Sequence, residues 1–163
     1  MNPTHRKAID EARKLNIRIL ETAHFVLALL AEQSAVSDLL VEHGITPERV
    51  SEPYIGPRYT VVAGAVSERD DYRGICVGEM NPDARMVFGR AQGLALAAGF
   101  AVPRPEDWLV ALLYSPDGLE FATVLQTLGV SRPALVDALR QRGIPLPDVE
   151  LPPLTRPQII RHG

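Results

Sequence analysis

The sequence predicts an all-α fold built as a tandem, pseudo-twofold pair of four-helix units, and three observations predict it. The stretch from Thr22 to Leu30 is apolar almost all the way round, so as a helix it must be enclosed on most sides instead of offering one stripe to a core. An equivalent stretch recurs at Pro105 to Leu113, where Leu30 falls on Leu113, 83 residues on; the same spacing sets Ala8 on Ala91, Ala12 on Ala95, Leu15 on Ala98 and Asn16 on Gly99. Gly44 falls on Gly129 at a spacing of 85, because the second unit carries two extra residues in its Ser115-Pro116-Asp117-Gly118 turn. Self-similarity at a fixed period takes precedence over any local reading.

The first unit spans residues 1–50. Asn2 followed by Pro3 starts a helix, since Asn accepts from free first-turn amides and Pro suits the first helical position. Ala8, Ile9, Ala12 and Leu15 mark its buried face, and Asn16 supplies a left-handed stop. Thr22 is the expected N-cap of the central helix, which is predicted to run to about Gln33. Ser34 caps a third helix carrying Val36, Leu39 and Leu40 and closed by Gly44; Thr46-Pro47 opens a short fourth one near Glu48 to Glu52.

Residues 51–80 read as an inter-repeat linker. Pro53, Gly56, Pro57, Gly64, Gly74 and Gly78 punctuate it, Glu68 to Asp71 is a solvated charge cluster, and an extended piece at Tyr59 to Val62 lacks an evident partner strand. Residues 81–143 form the second unit. Asn81-Pro82 repeats the opening signal, four residues earlier than the 83-residue spacing would put it, so the first helix of unit one is expected to be shorter by about one turn. Helices are predicted at about Pro82 to Ala98, Pro105 to Tyr114, Leu119 to Leu128 and Arg132 to Arg142, stopped by Gly99, Gly129 and Gly143. Gly89 and Gly93 weaken the first of these by about 1 kcal/mol each relative to Ala, or permit close helix packing. The tail, 144–163, carries five prolines, which forbid helix; it either docks in part through Leu146, Val149, Leu151 and Leu154 or stays disordered.

Composition narrows function. A chain of 163 residues with 46% hydrophobic residues buries a core of its own, and a net charge of −3 gives no general attraction to nucleic acid or an anionic membrane. The 15 Arg against 2 Lys reads as genome composition. The single Cys76 excludes an internal disulfide, no apolar run reaches the ~18–20 residues of a spanning helix, and the start lacks a signal-peptide core, so a cytoplasmic protein is expected. Cys76 has no adjacent base or second thiol and reads as an ordinary thiol. His5, His24, His43 and His162 have no metal-ligand spacing, so no metal or other cofactor is expected, and His24 reads as a packed, hydrogen-bonded histidine. Trp108 reads as core, and Arg132, Arg140 and Arg142 as a solvated helix face.

Two repeats, each with an Ala-rich opening helix, a capped Leu-rich helix and a short helix ending in Gly, resemble the N-terminal Clp repeat domain of Clp AAA+ unfoldases, ClpC type. That family's Glu-Ala-Arg-x-Leu-Asn stands here at Glu11 to Asn16. Its Thr-Glu-His-(Leu/Ile)-Leu-Leu-(Ala/Gly)-Leu block appears at Thr22 to Leu29 and again at Pro105 to Leu112, and its Thr-Pro-x-Ala-(Lys/Arg) start of repeat two appears at Asn81 to Arg85. The likeness covers roughly residues 4–142. Unlike an unfoldase, the chain contains no Gly-x-x-x-x-Gly-Lys-(Ser/Thr) phosphate loop.

The resemblance implies protein recognition without catalysis: an accessory factor, adaptor or competitor in Clp-dependent proteolysis, whose partners are Clp unfoldase or protease components or their substrates. In ClpC-type proteins the repeat glutamate helps bind arginine-phosphorylated substrates, because a carboxylate matches the planar paired donors of a guanidinium. Unit one has Ala23 at that position, and unit two keeps Glu106 beside Pro105 and Asp107, so a peptide or phosphoarginine-like ligand is implied at unit two at most. Met80 stands where an aromatic is usual before repeat two. The implied ligand or partner residues are Thr22, Met80, Asn81, Arg85, Glu106 and Asp107. Against that reading, Glu106 and Asp107 in a first helical turn already serve the helix dipole. The alternatives are an all-α nucleic-acid-binding regulator, disfavoured by the acidic net charge, and a homologue whose groove sequesters small molecules directed at the unfoldase.

Overall fold

Asn2 and Asn81 set the starts of the two longest helices. The computed structural model describes residues 2–52, 75–114, 120–144 and 146, and among them the chain is all-helical, with eight helices. These are α1 (Pro3–Lys14), α2 (Thr22–Ala31), α3 (Ala35–Glu42), α4 (Pro47–Ser51), α5 (Pro82–Ala97), α6 (Pro105–Leu113), α7 (Glu120–Leu128) and α8 (Arg132–Gln141). The Asn2 side chain accepts from the His5 amide at 2.9 Å and that of Asn81 from the Ala84 amide at 2.8 Å, with Pro next in both. α1 has 12 residues and α5 has 16, the one-turn difference expected from the spacing.

Ser34 accepts from Val36 and Ser37 to start α3, while the Ser37 hydroxyl accepts the Ser34 amide at 2.7 Å, a reciprocal pair satisfying amides the helix cannot. Thr46 and Ser131 cap α4 and α8. Asn16 sits at φ +58, and Gly44, Gly99, Gly129 and Gly143 are likewise left-handed at helix ends. The central helix is corrected at both ends. Its N-cap is Glu21, with Thr22 the buried first helical residue, and it stops at Ala31 because Gln33 turns left-handed at φ +51.

α2 packs against α1, α3, α4, α5, α6 and α7, and every residue from Thr22 to Leu30 is buried, as an all-round apolar helix requires. Asp107 to Leu113 of α6 are buried too. The two helices meet through rings: Phe25 stacks on Trp108 with centroids 4.5 Å apart, Phe88 of α5 stacks on Trp108 at 5.4 Å, and His5 of α1 lies 5.1 Å from Phe88 and 6.4 Å from Phe25. Trp108 and Phe25 are fully buried.

Two crossings tie the helix starts together. Leu20 donates to the Glu79 carbonyl at 2.7 Å and the Asn81 amide donates to the Leu20 carbonyl at 2.9 Å, a single parallel bridge that runs residues 79–81 alongside the entry to α2. Asn2 Nδ2 donates to the Pro103 carbonyl at 3.1 Å, joining the start of α1 to the entry of α6. Arg49 fastens the far side, donating to the carbonyls of Gly44 and of Leu128 at the end of α7, and Arg142 reaches back to Glu42 and the Ala35 carbonyl.

Residues 75–80 are thus held against the helices, not a free connector. Most of the linker, including Tyr59 to Val62 and the charge cluster, lies outside the described residues, as does the tail beyond Leu146. Ile144 and Leu146 are half-buried against the core. Among the described residues no single helix is long and apolar enough to cross a membrane.

Gly89 and Gly93 do not serve close packing. A Cβ at either would meet nothing within 4 Å, and both are exposed mid-helix. Each therefore retains only the entropic penalty of glycine in a helix, and Gly89→Ala with Gly93→Ala should together stabilise the protein by about 1–2 kcal/mol. Urea denaturation checks this; any loss of stability would mean that the outer face of α5 is covered.

Candidate functional site

The carboxylates that the sequence singles out lie in the first turn of α6, and Arg104 is folded over them. Arg104 is the N-cap, but its own side chain does not cap; the Asp107 carboxylate, at the third helical position, reaches back and accepts the Arg104 amide at 2.9 Å. The Arg104 guanidinium then forks onto the same carboxylate, Nε to Oδ2 and Nη2 to Oδ1, both at 3.0 Å. Three charge-assisted bonds converge on a buried side chain. Glu106 stands 3.6 Å from the guanidinium and is half-buried.

The other face of that guanidinium lies over the Phe100 ring, 4.1 Å from its centroid, a cation–π contact worth about 0.5–1 kcal/mol at an exposed site. The Asp107 hydrogen bonds, and then the charges of Asp107 and Glu106, outweigh desolvation and raise the Arg104 pKa above its ordinary value, so the group stays cationic. Beside it is a shallow depression of about 200 Å³. Arg104, Glu106 and Asp107 line one side, and Leu94, Ala98, Val110 and Leu146 supply apolar walls.

The corresponding turn of α2 is built on the same plan with other residues. His24 Nδ1 accepts the Glu21 amide at 2.8 Å, which requires the neutral ring, and burial pushes its pKa down to about 4. Ala23, second in α2 as Glu106 is second in α6, is buried. This turn therefore presents no carboxylate at that position.

The six residues named from the sequence divide between these two places. Met80, half-buried, and Asn81, buried, are brought beside the entry of α2 by the Leu20 bridge, and Thr22 follows two residues later, buried. Arg85 is exposed in the first turn of α5, its amide on the Asn81 carbonyl at 3.0 Å. Glu106 and Asp107 are at α6, where the neighbour across the crossing is Asn2, not Asn81. Met80 and Asn81 thus act in joining segments, and Thr22 as a packed residue. Sequence reasoning missed Arg104 and Phe100; an Arg three residues before an Asp at a helix start was the available signal.

Cys76 is buried, its carbonyl accepts from Arg13 at 2.9 Å, and burial pushes its thiol pKa up, which suppresses the thiolate. Among the described residues no three His, Cys, Asp or Glu side chains cluster as metal ligands would. Compared with protein-family models and with curated proteins, the chain matches none.

Proposed function

We propose that this chain is a pair of Clp-type repeats acting, without catalysis, as a protein or peptide recognition module: an accessory factor, adaptor or competitor in Clp-dependent proteolysis. The observation that carries the reading is the recurrence of structural devices at the sequence spacing. Glu21 with His24 and Arg104 with Asp107 close their helix starts by the same reciprocal bond, 83 residues apart. Ile17 donates to the Ala12 carbonyl at 2.9 Å as Phe100 does to that of Ala95 at 2.8 Å.

The crossings follow the same rule. The Asn that caps α5 meets Leu20, the Asn that caps α1 meets Pro103, and Leu20 and Pro103 are 83 apart. His5 and Phe88, likewise 83 apart, face one another, as do Phe25 and Trp108. These recurrences support reading α1–α4 and α5–α8 as two copies related by a pseudo-twofold through the rings. Combined with the order of motifs along the chain, this supports the Clp N-domain reading.

Within that reading the contact surface is on unit two, around Glu106, Phe100 and the depression beside Arg104. Glu106 is the carboxylate with the weaker internal engagement, 3.6 Å from Arg104 against 3.0 Å for Asp107. A guanidinium-bearing ligand would have to share it with Arg104.

The test is a pull-down from host lysate with the tagged protein, read by mass spectrometry, with Glu106→Ala alongside. Enrichment of a Clp unfoldase, protease subunit or their substrates, reduced several-fold in the variant, is the expected result. Recovery of nucleic acid or an unrelated complex with no Clp component or substrate would overturn the proposal.

A further inference from the structure

We infer that His5 is a proton-sensitive clasp between the two halves of the molecule, closed when its ring is neutral and released when the ring takes up a proton. His5 projects from α1 into a setting made almost wholly of uncharged groups drawn from both halves: Phe88 of α5 at 5.1 Å, Phe25 of α2 at 6.4 Å, and the backbone of Gly78. Gly78 is held at φ +105 with its Cα face against the ring and against Ile9 Cδ1; a Cβ there would stand 3.4 Å from Ile9 and 3.6 Å from His5 Nε2. Those are ordinary contact distances, so it is the left-handed backbone, and not space, that favours glycine here. Segment 75–80 thereby covers the Nε2 edge of a residue that is half-buried as a whole.

His5 Nε2 is buried and makes no hydrogen bond among the described residues, and the Gly78 backbone is the one group beside the ring that favours a proton on it. Nor does a carboxylate form an ion pair with the ring among those residues. On segment 75–80, Glu79 pairs with Arg18 at 2.7 Å, and Cys76 is a buried thiol. On α2, His24 accepts from Glu21. On α5, Arg85 is exposed, Asp83 sits in the first turn, and Arg90 holds the Tyr114 carbonyl. On α1, Arg6, Lys7 and Asp10 are exposed, and the one charge acting on the ring is that of the positive amino terminus. Burial, and secondarily that charge, lower the His5 pKa despite the favourable pull of the Gly78 backbone.

Release has a path. The His5 amide donates to the Asn2 side chain, and Asn2 Nδ2 holds the Pro103 carbonyl at the entry to α6. Loosening α1 at His5 therefore frees the α6 entry at its other end. Trp108, the one tryptophan in the chain, stacks on Phe88 three residues inside α6 and reports the change.

The experiment follows Trp108 emission from pH 7.5 to 4.5 in the full chain, with the His5 ring resonances titrated by NMR in parallel and His5→Phe as the variant. The wild type is expected to show a Trp108 transition whose midpoint lies below 6.5 and coincides with the His5 titration, and His5→Phe to lack it. If His5→Phe is not folded at pH 7.5 by circular dichroism, His5→Gln takes its place with the same expectation. A His5 midpoint at or above 6.5, a His5 titration with no Trp108 change, or an unchanged transition in the folded variant would each overturn the clasp.

Discussion

Trp108→Ala will destabilise the protein by about 4 kcal/mol, the middle of the range for emptying a buried aromatic site. Trp108 is fully buried and stacks with two rings, Phe25 at 4.5 Å and Phe88 at 5.4 Å. The substitution removes the largest side chain of the core and two ring pairs, each worth about 0.5–1.5 kcal/mol beyond area burial. Collapse around the gap is restricted, because Phe25 belongs to α2, which is fixed by neighbours on every side. Trp108→Phe keeps one six-membered ring in the cluster and should lose less than half as much. Urea denaturation at pH 7.5 followed by circular dichroism measures both; a loss below ~1 kcal/mol for Trp108→Ala would mean that the ring cluster does not hold α2, α5 and α6 together.

The helix plan was legible because its signals are local. Asn2-Pro3, Asn81-Pro82, Ser34 and Thr46-Pro47 each bring their own hydrogen-bond acceptor to the amides that need one, and Asn16, Gly44, Gly99, Gly129 and Gly143 stand where the chain reverses. The difference in length between α1 and α5 was read as about one turn, and the helices have 12 and 16 residues. What failed was also local but ran backwards. At α2 and α6 the acceptor comes from the third helical residue, His24 or Asp107, so inspection of the cap position alone misplaced the cap at Thr22. The start of α6 makes the point, since Arg104 is no capping residue by type.

The site was less legible than the fold. Position alone put Glu106 and Asp107 at a helix start, and the structure has them there, but nothing in the spacing shows that the Arg104 side chain turns back to occupy Asp107 while lying on Phe100. That depends on a rotamer, and on Phe100 following the left-handed Gly99. Glycine packing failed for a similar reason. Whether Gly89 and Gly93 face a helix or solvent depends on which face of α5 the other elements cover.

Lowering the pH from 7 to 4 will remove about 3 kcal/mol of stability through His24 alone. Its pKa is about 4 in the folded protein against an ordinary 6.5, so between those values the unfolded chain binds the proton and the native state does not. The sign follows: this contribution is complete above pH 6.5, falls as pH drops through the window, and is gone once the native ring is itself protonated near pH 4. Half a dozen tenfold steps are not needed; by pH 5 about 2 kcal/mol is already lost. Two physical effects act together, since charging the ring both places a cation in a fully buried site and removes the lone pair that Nδ1 offers to the Glu21 amide, opening the first turn of the central helix. His24→Asn separates titration from architecture, because its side-chain oxygen can accept the same amide without a proton to gain. The variant will be less stable at pH 7, having lost ring volume, but its stability difference between pH 7 and pH 5 should be smaller than that of the wild type by about 2 kcal/mol. Urea midpoints at the two pH values decide it: equal pH losses in wild type and variant would show that the acid sensitivity lies elsewhere, with the His5 clasp the first place to look.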